Sequence, residues 1–269
     1  MFKSAEWCLA MGMMLAVLIA AASVGGAAMN GGEAGDSQDA AVDLRAVLRN
    51  WALPARSQGG RGTCSVFTMT GAIEYALAKQ EGHGTRLSTE FLNWASNAAT
   101  RTSADGGFFS DLWRGFVAYG VCAEAEMPYQ EKFDGSLHPS EAALQHAREV
   151  RNVGLQLHWI KRWDVKTGLT ESQFAQIKKT LAEHWPVCGG FRWPKRERWN
   201  GGVLEMTMPE NVFDGHSVLL VGFRDDPTQR GGGVFLIRNS AGGSDDGAMS
   251  YEYVRAYMND AVWVEGKKK

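Results

Sequence analysis

From Cys64 to Gln80 the apolar residues Val66, Met69, Ile73 and Leu77 recur at three- and four-residue steps, while Glu74 and Lys79 fall on other faces. That period predicts an amphipathic helix, closed by Gly82-His83-Gly84. Ser88-Thr89-Glu90 opens a second helix carrying Phe91, Leu92 and Trp94. A third follows Asp105-Gly106-Gly107 and runs through Leu112, Phe116 and Val117 to Gly120. The pattern then changes. Residues 155–165 alternate loosely, as a strand does. Thr170-Glu171-Ser172-Gln173 is a capping-box pattern ahead of a helix carrying Phe174, Ile177 and Leu181. Pro186 stops that helix before an apolar strand over Val187–Phe191. Ser217–Phe223 and Val234–Arg238 are further β-rich runs bounded by Gly and Asp. A helical half followed by a strand-rich half, with the change near Arg151–Gly154, predicts an α+β class.

The N-terminus follows another pattern. Lys3 precedes an apolar run from Trp7 to Val24, then Gly25-Gly26-Ala27-Ala28, which reads as a signal peptide over residues 1–28 or, if uncleaved, a membrane anchor. Either form places the rest of the chain outside the cytoplasm, periplasmic or extracellular. Residues 29–41, rich in Gly, Ala and acidic groups, read as a flexible linker, with structure starting near Val42. Residues 265–269 end in Lys267-Lys268-Lys269, a solvated basic tail.

Composition narrows the function classes. The 269 residues carry a net charge of −2, with 45% hydrophobic and 22% charged residues, which gives no footprint for a nucleic-acid partner. The ten tryptophans form no base-stacking pattern. Gly59-Gly60-Arg61-Gly62 lacks the Lys-Ser/Thr ending of a phosphate loop. His138, Glu141, His146 and Glu149 have no metal-site spacing and read as a solvated helix face. No metal or organic cofactor is expected. Cys8 leaves with the signal, so Cys64, Cys122 and Cys188 remain; with Cys64 set apart, Cys122 and Cys188 are expected to be buried free thiols, one disulfide between them being the alternative.

The chemistry lies in three segments. Gln58 stands six residues before Cys64, which opens the first predicted helix, where the positive helix end favours a thiolate. Gly215-His216-Ser217-Val218 and Arg238-Asn239-Ser240 follow. Hydrolysis of an amide through sulfur needs a nucleophile, an acid/base, a group that orients it and donors for the oxyanion. Cys64, His216, Asn239 and Gln58 supply these in turn.

These motifs resemble the papain family of cysteine peptidases. Arg61-Gly62-Thr63-Cys64-Ser65 is similar to its cysteine motif and Leu87-Ser88-Thr89-Glu90-Phe91 to its Leu-Ser-Glu-Gln segment. Asp105-Gly106-Gly107 resembles its paired glycines, and Gly120 to Tyr129 its Gly-Ile…Glu…Tyr-Pro-Tyr stretch. Gly215 to Gly222 resembles its histidine strand, and Phe235 to Gly242 its Asn-Ser-Trp-Gly segment. The likeness spans residues 42–264, divided at about 152, and looks most like bacterial members. It implies a cleft between a helical and a β-rich half, with an extended peptide pairing its backbone at Gly106 and Gly107.

The departures from that pattern are specific. His216 and Asn239 lie 152 and 175 residues after Cys64, further than the usual spacing, and residues 192–214 are the candidate insertion, expected beside the cleft. Arg61 stands for a disulfide cysteine, Ser65 for an aromatic residue, and Ala241 for the tryptophan that shields the His–Asn bond. Ala241 predicts a more solvated bond and a less firmly oriented His216. The stretch between Ala28 and Val42 is too short for the family's folded inhibitory prosegment. The expectation is an exported endopeptidase acting on peptide or protein substrates, of unassigned oligomeric state. The alternatives are a transpeptidase using the same thioester, or a papain-like peptide-binding or scaffolding module with weak or no turnover.

Overall fold

A computed structural model describes residues 41–242 and 246–266. The signal, most of the linker and the three terminal lysines lie outside the described residues. The fold begins where the linker was expected to end, with β1 (Ala41–Asp43) and α1 (Arg45–Asn50). Four helices follow: α2 (Cys64–Glu81), α3 (Thr89–Thr100), α4 (Phe109–Tyr119) and α5 (Glu141–Asn152). Then come β2 (Gln156–Lys161), α6 (Glu171–Ala182), β3 (Val187–Pro194), β4 (Trp199–Asn200) and β5 (Val203–Leu204). β6 (Val212–Asp225), β7 (Gly233–Arg238), β8 (Asp246–Ser250), α7 (Tyr251–Tyr257) and β9 (Met258–Glu265) are the remaining described elements. The class is α+β.

The helix ends follow the local chemistry of the sequence. The Ser88 hydroxyl accepts from the Phe91 N–H at 2.9 Å, starting α3. Thr170 and Gln173 form the reciprocal capping box of α6, at 3.2 and 2.9 Å, the kind of cap that contributes about 1 kcal/mol. Gly82 closes α2 in the left-handed region.

Among the described residues nine strands lie in one sheet of order β2-β9-β3-β6-β7-β8-β5-β4, with β1 added to β6. All pairs are antiparallel except β5 with β8. One apolar cluster joins α1–α5 to a sheet face through Met69, Ile73, Phe91, Phe116, Leu219 and Val262. A second joins α6 and α7 to the sheet through Phe174, Ile177, Phe191, Phe235, Tyr253 and Val254.

α2 differs from expectation. It is buried nearly all round, wedged against α3, β3, β6 and β9, so it has no solvent face to make it amphipathic. Glu74 points inward, 3% exposed. Arg56 and Arg86 each reach it at 3.2 Å, and the Leu87 N–H at 2.9 Å. A buried carboxylate with these partners ties α2 to the segment that leads into α3. The strands β3 and β6 run longer than their apolar stretches, because ladder bonds continue through Arg192-Trp193-Pro194 and Val212-Phe213. β8, α7 and β9 have no counterpart in the elements read from the sequence.

Candidate active site

Cys64 opens α2, and no side chain caps that helix. The Thr63 hydroxyl instead shares a 2.6 Å hydrogen bond with the Tyr129 hydroxyl. The first-turn N–H groups are thus left open to negative charge in front of the helix. The Cys64 thiol points at the Gly215 carbonyl oxygen, 3.7 Å away and 151 residues on in sequence. His216 follows at once, and lines with Cys64 one cavity of about 230 Å³.

Neighbouring antiparallel strands bring the next partner. Asn239, one residue beyond β7, places its Oδ1 2.9 Å from His216 Nε2. The same oxygen accepts from the Ser240 N–H at 2.8 Å. A backbone N–H only donates, so Oδ1 is an acceptor and Nε2 carries the proton. The neutral ring is left with an unprotonated Nδ1.

Gln58 is held through its backbone and both ends of its side-chain amide. Its backbone N–H donates to Ser240 O and its Oε1 accepts from the Ser240 hydroxyl, both at 2.7 Å. Its Nε2 donates to Arg61 O at 2.7 Å. An amide nitrogen has two hydrogens, so one remains to donate. Gln58 and His216 border a second, open cavity with Ala241, Trp193 and Glu197.

Burial opposes charge on this pair. It pushes the Cys64 thiol up, against the pull of N–H groups of Ser217 and Ser65 and the Ser217 hydroxyl. It pushes His216 down, against the Asn239 bond and the negative charge of Glu197. The helix end therefore does not act alone on Cys64: any thiolate–imidazolium pair forms against desolvation of both partners.

The cavity beside Cys64 has an acidic floor. Asp260 of β9 is 4% exposed and pairs in register with Gly190 of β3. A side chain at 190 would put its Cβ 2.1 Å from Asp260 Oδ1, so only glycine admits the carboxylate there. Burial raises Asp260 to about 6, against a Gly190 backbone bond and the Lys161 charge. Gly107 and the half-exposed rings of Phe108 and Trp163, in edge contact at 5.4 Å, form walls.

The family model described as papain family cysteine protease matches residues 39–265. The chain belongs to the papain family. It is 25% identical to cathepsin K of Gallus gallus over 209 residues, 76% of this chain and 55% of that protein. It is 28% identical to cysteine proteinase 3 of Solanum lycopersicum over 208 residues, 74% of this chain and 52% of that one. The chain thus spans about half the length of the curated relatives it matches. Among solved structures, xylellain, a cysteine protease from Xylella fastidiosa, shares the fold with a TM-score of 0.63 at 21% identity, over 85% of this chain and 86% of that one. The clostridial cysteine protease Cwp84 does so with a TM-score of 0.61 at 17% identity, over 85% and 58%.

Within this papain-family fold two departures are filled from elsewhere. Arg61, in place of a cysteine, is 6% exposed. Its guanidinium donates to Glu90 at 2.5 Å, Asp105 at 2.6 Å and Gln130 O at 2.8 Å, and lies 4.6 Å from the Tyr129 ring centroid. The cross-link between the cysteine loop and the paired-glycine loop is ionic. Ala241 is the second departure. The expected solvation of the His–Asn bond does not follow, because Trp193 of β3 lays its ring 4.4 Å from the imidazole. Trp193 is 2% exposed, and Asn239 is buried. The segment 192–214 does border the cleft, through Trp193, Lys195, Glu197 and Phe213.

Gly107 lines the cavity with Cys64, and Gly106 beside it packs on the cysteine segment. A Cβ on Gly106 would meet Gly62 O at 2.5 Å, and its φ is +76°, so the loop's approach to the cysteine segment requires glycine. The four-residue His/Glu set does not assemble. His138 precedes α5 and accepts from Trp94 Nε1 at 3.3 Å, while His146 pairs with Glu126. No group suited to a metal ion exists among the described residues. Cys122 and Cys188 are buried free thiols. Burial pushes Cys122 up to about 12 and raises Cys188 as well.

Sequence reading missed Asp260, Trp193 and Glu197. A signal existed for the first: Asp260 interrupts the apolar run of Met258, Ala261, Val262 and Val264. For the other two the signal was only the placement of residues 192–214 beside the cleft, since their roles depend on a strand pairing and a loop return.

Proposed function

We propose that the chain is an exported cysteine peptidase that hydrolyses peptide bonds through a thioester on Cys64. The observation that carries this reading is Cys64 on an uncapped helix start beside His216, whose Nε2 is held by Asn239. Cys64 Sγ attacks the carbonyl carbon as its proton passes to His216 Nδ1. The oxyanion meets the Cys64 N–H and the free hydrogen of Gln58 Nε2. The C–N bond then breaks, and Nδ1–H protonates the departing amine. Water, giving its proton to Nδ1, opens the thioester, releasing the acid and the thiol. Gly106 and Gly107 offer backbone to an extended peptide. Export rests on residues 1–28, and the mature N-terminus measured by mass would test it.

The test is a peptidyl epoxysuccinate and intact mass. Wild type is expected to gain one adduct, absent from Cys64→Ala and His216→Ala. A folded wild type that stays unlabelled with Cys64 reduced would overturn the reading in favour of a binding module. An amide product formed with an added amine would make the protein a transpeptidase.

Asp260 sets a further expectation. A basic substrate side chain passing Phe108 and Trp163 would meet its carboxylate, a charge-assisted contact of about 1.5–3 kcal/mol. Asp260, raised to about 6, is ionised above that pH and protonated below it. The preference for Arg or Lys over Leu at the residue entering this cavity should be full at pH 7.5 and fall through pH 6. Paired fluorogenic peptides measure it, and Asp260→Asn should flatten the profile. A pH-independent ratio in wild type would exclude Asp260 from recognition.

A further inference from the structure

We propose that Trp193 and Glu197 are positioning residues for His216: the indole covers the imidazole and the carboxylate, clamped by two indole N–H groups, supports its positive charge. The proposal takes its purpose from the peptidase reading, but its measurement does not depend on turnover.

Three aromatic rings meet here at steep angles. In front, His216 lies 4.4 Å from Trp193, ring centre to ring centre, with the planes at 58°. Behind, Tyr253 meets Trp193 edge-on at 6.4 Å, is fully buried, and donates its hydroxyl to Arg192 O at 2.8 Å. Trp193 therefore has little freedom to tilt away from the imidazole. At its edge the indole N–H donates to Glu197 Oε1 at 2.7 Å. The other carboxylate oxygen, Oε2, accepts from Trp199 Nε1 at 3.0 Å. Both donors are neutral, so they fix the carboxylate without cancelling its charge.

Two forces then favour the imidazolium. A cation against an indole face is stabilised by the ring quadrupole, and the Glu197 charge acts in the same sense. Both oppose the burial that favours neutral His216. The charged and titratable groups around the ring are Cys64 on α2, Glu197 and Lys195 beyond β3, and Asp260 on β9. Lys195 and Asp260 are common to wild type and to the variants below. Ala241 supplies no ring, and Trp193 borders the same cavity from β3. A neighbouring strand thus performs the shielding, with a carboxylate added.

The test is the titration of His216 by NMR in a Cys64→Ala background, which removes the thiol from the balance. Glu197→Gln keeps the packing and removes the charge; Trp193→Phe keeps a ring and releases the carboxylate. Glu197→Gln is expected to lower the His216 midpoint by about half a pH unit, roughly threefold in protonation, and Trp193→Phe to speed exchange of the His216 Nε2–H with water. A Glu197→Gln midpoint within about 0.1 unit of the parent, with unchanged melting, would overturn the proposal. A measurement on the unsubstituted chain needs no variant: the His216 Nε2–H should be protected from exchange with water, and exchange at the solvent rate in the folded protein would also overturn it. Failure of the peptidase reading appears separately, as absence of the Cys64 adduct.

Discussion

Arg61→Met is expected to lower the free energy of unfolding by about 3–5 kcal/mol, the cost of removing one partner from a buried ion pair. The side chains of Arg61 and Glu90 are each only 4% exposed, so the substitution leaves the Glu90 carboxylate buried without its cation. Methionine restores the volume of the stem but none of the bonds to Glu90, Asp105 and Gln130 O. The paired change Arg61→Met with Glu90→Gln should recover part of the loss, because the orphaned charge is what costs most. Urea titration of the three proteins measures this. A single-variant loss under about 1 kcal/mol would mean that solvent reaches Glu90 and that the ionic cross-link contributes little. Because Arg61 O also receives the Gln58 amide, slower labelling of Cys64 should accompany the loss of stability.

Gln58→Ala is expected to reduce kcat/KM by about 100- to 1,000-fold with KM little changed, the loss typical of one oxyanion donor. The Ser240 hydroxyl on Oε1 and Arg61 O on Nε2 fix which end of the amide faces the cleft. Ser240→Ala frees the amide to turn and should produce a smaller loss in the same direction. Gln58→Glu presents a carboxylate where negative charge must develop, and should be the most damaging of the three. A kcat/KM for Gln58→Ala within about threefold of wild type would remove Gln58 from the oxyanion site.

The elements with local signatures were legible in the sequence. α3, α4 and α6 carry their caps and stops within a few residues, so Ser88, Gly120 and the Thr170–Gln173 box locate them directly. The Cys64 and Asn239 segments were readable because each sits at an element end, and the His216 segment, inside β6, because Gly215 precedes it and an apolar run follows. What escaped depends on partners far away in the chain. Glu74 looks like a surface residue at its helical position and is internal only because Arg56 and Arg86 meet it. The apolar run from Tyr251 to Val264 mixes aromatic and β-branched residues with no clear period, and divides into α7 and β9 only through packing on α6 and pairing with β2 and β3. Ala241 predicted an open His–Asn bond, because a substitution in one segment says nothing of a ring supplied by another.

The ionic link at Arg61 also separates two things that a disulfide would couple. With Cys122 and Cys188 free and interior, no sulfur–sulfur bond braces the described fold. A thiol nucleophile works only while reduced; oxidation to the sulfenic state blocks it reversibly, and further oxidation to the sulfinic state destroys it. Reductant strong enough to restore Cys64 therefore has no brace to cut. Redox conditions should switch the activity of this protein on and off while its melting temperature stays still.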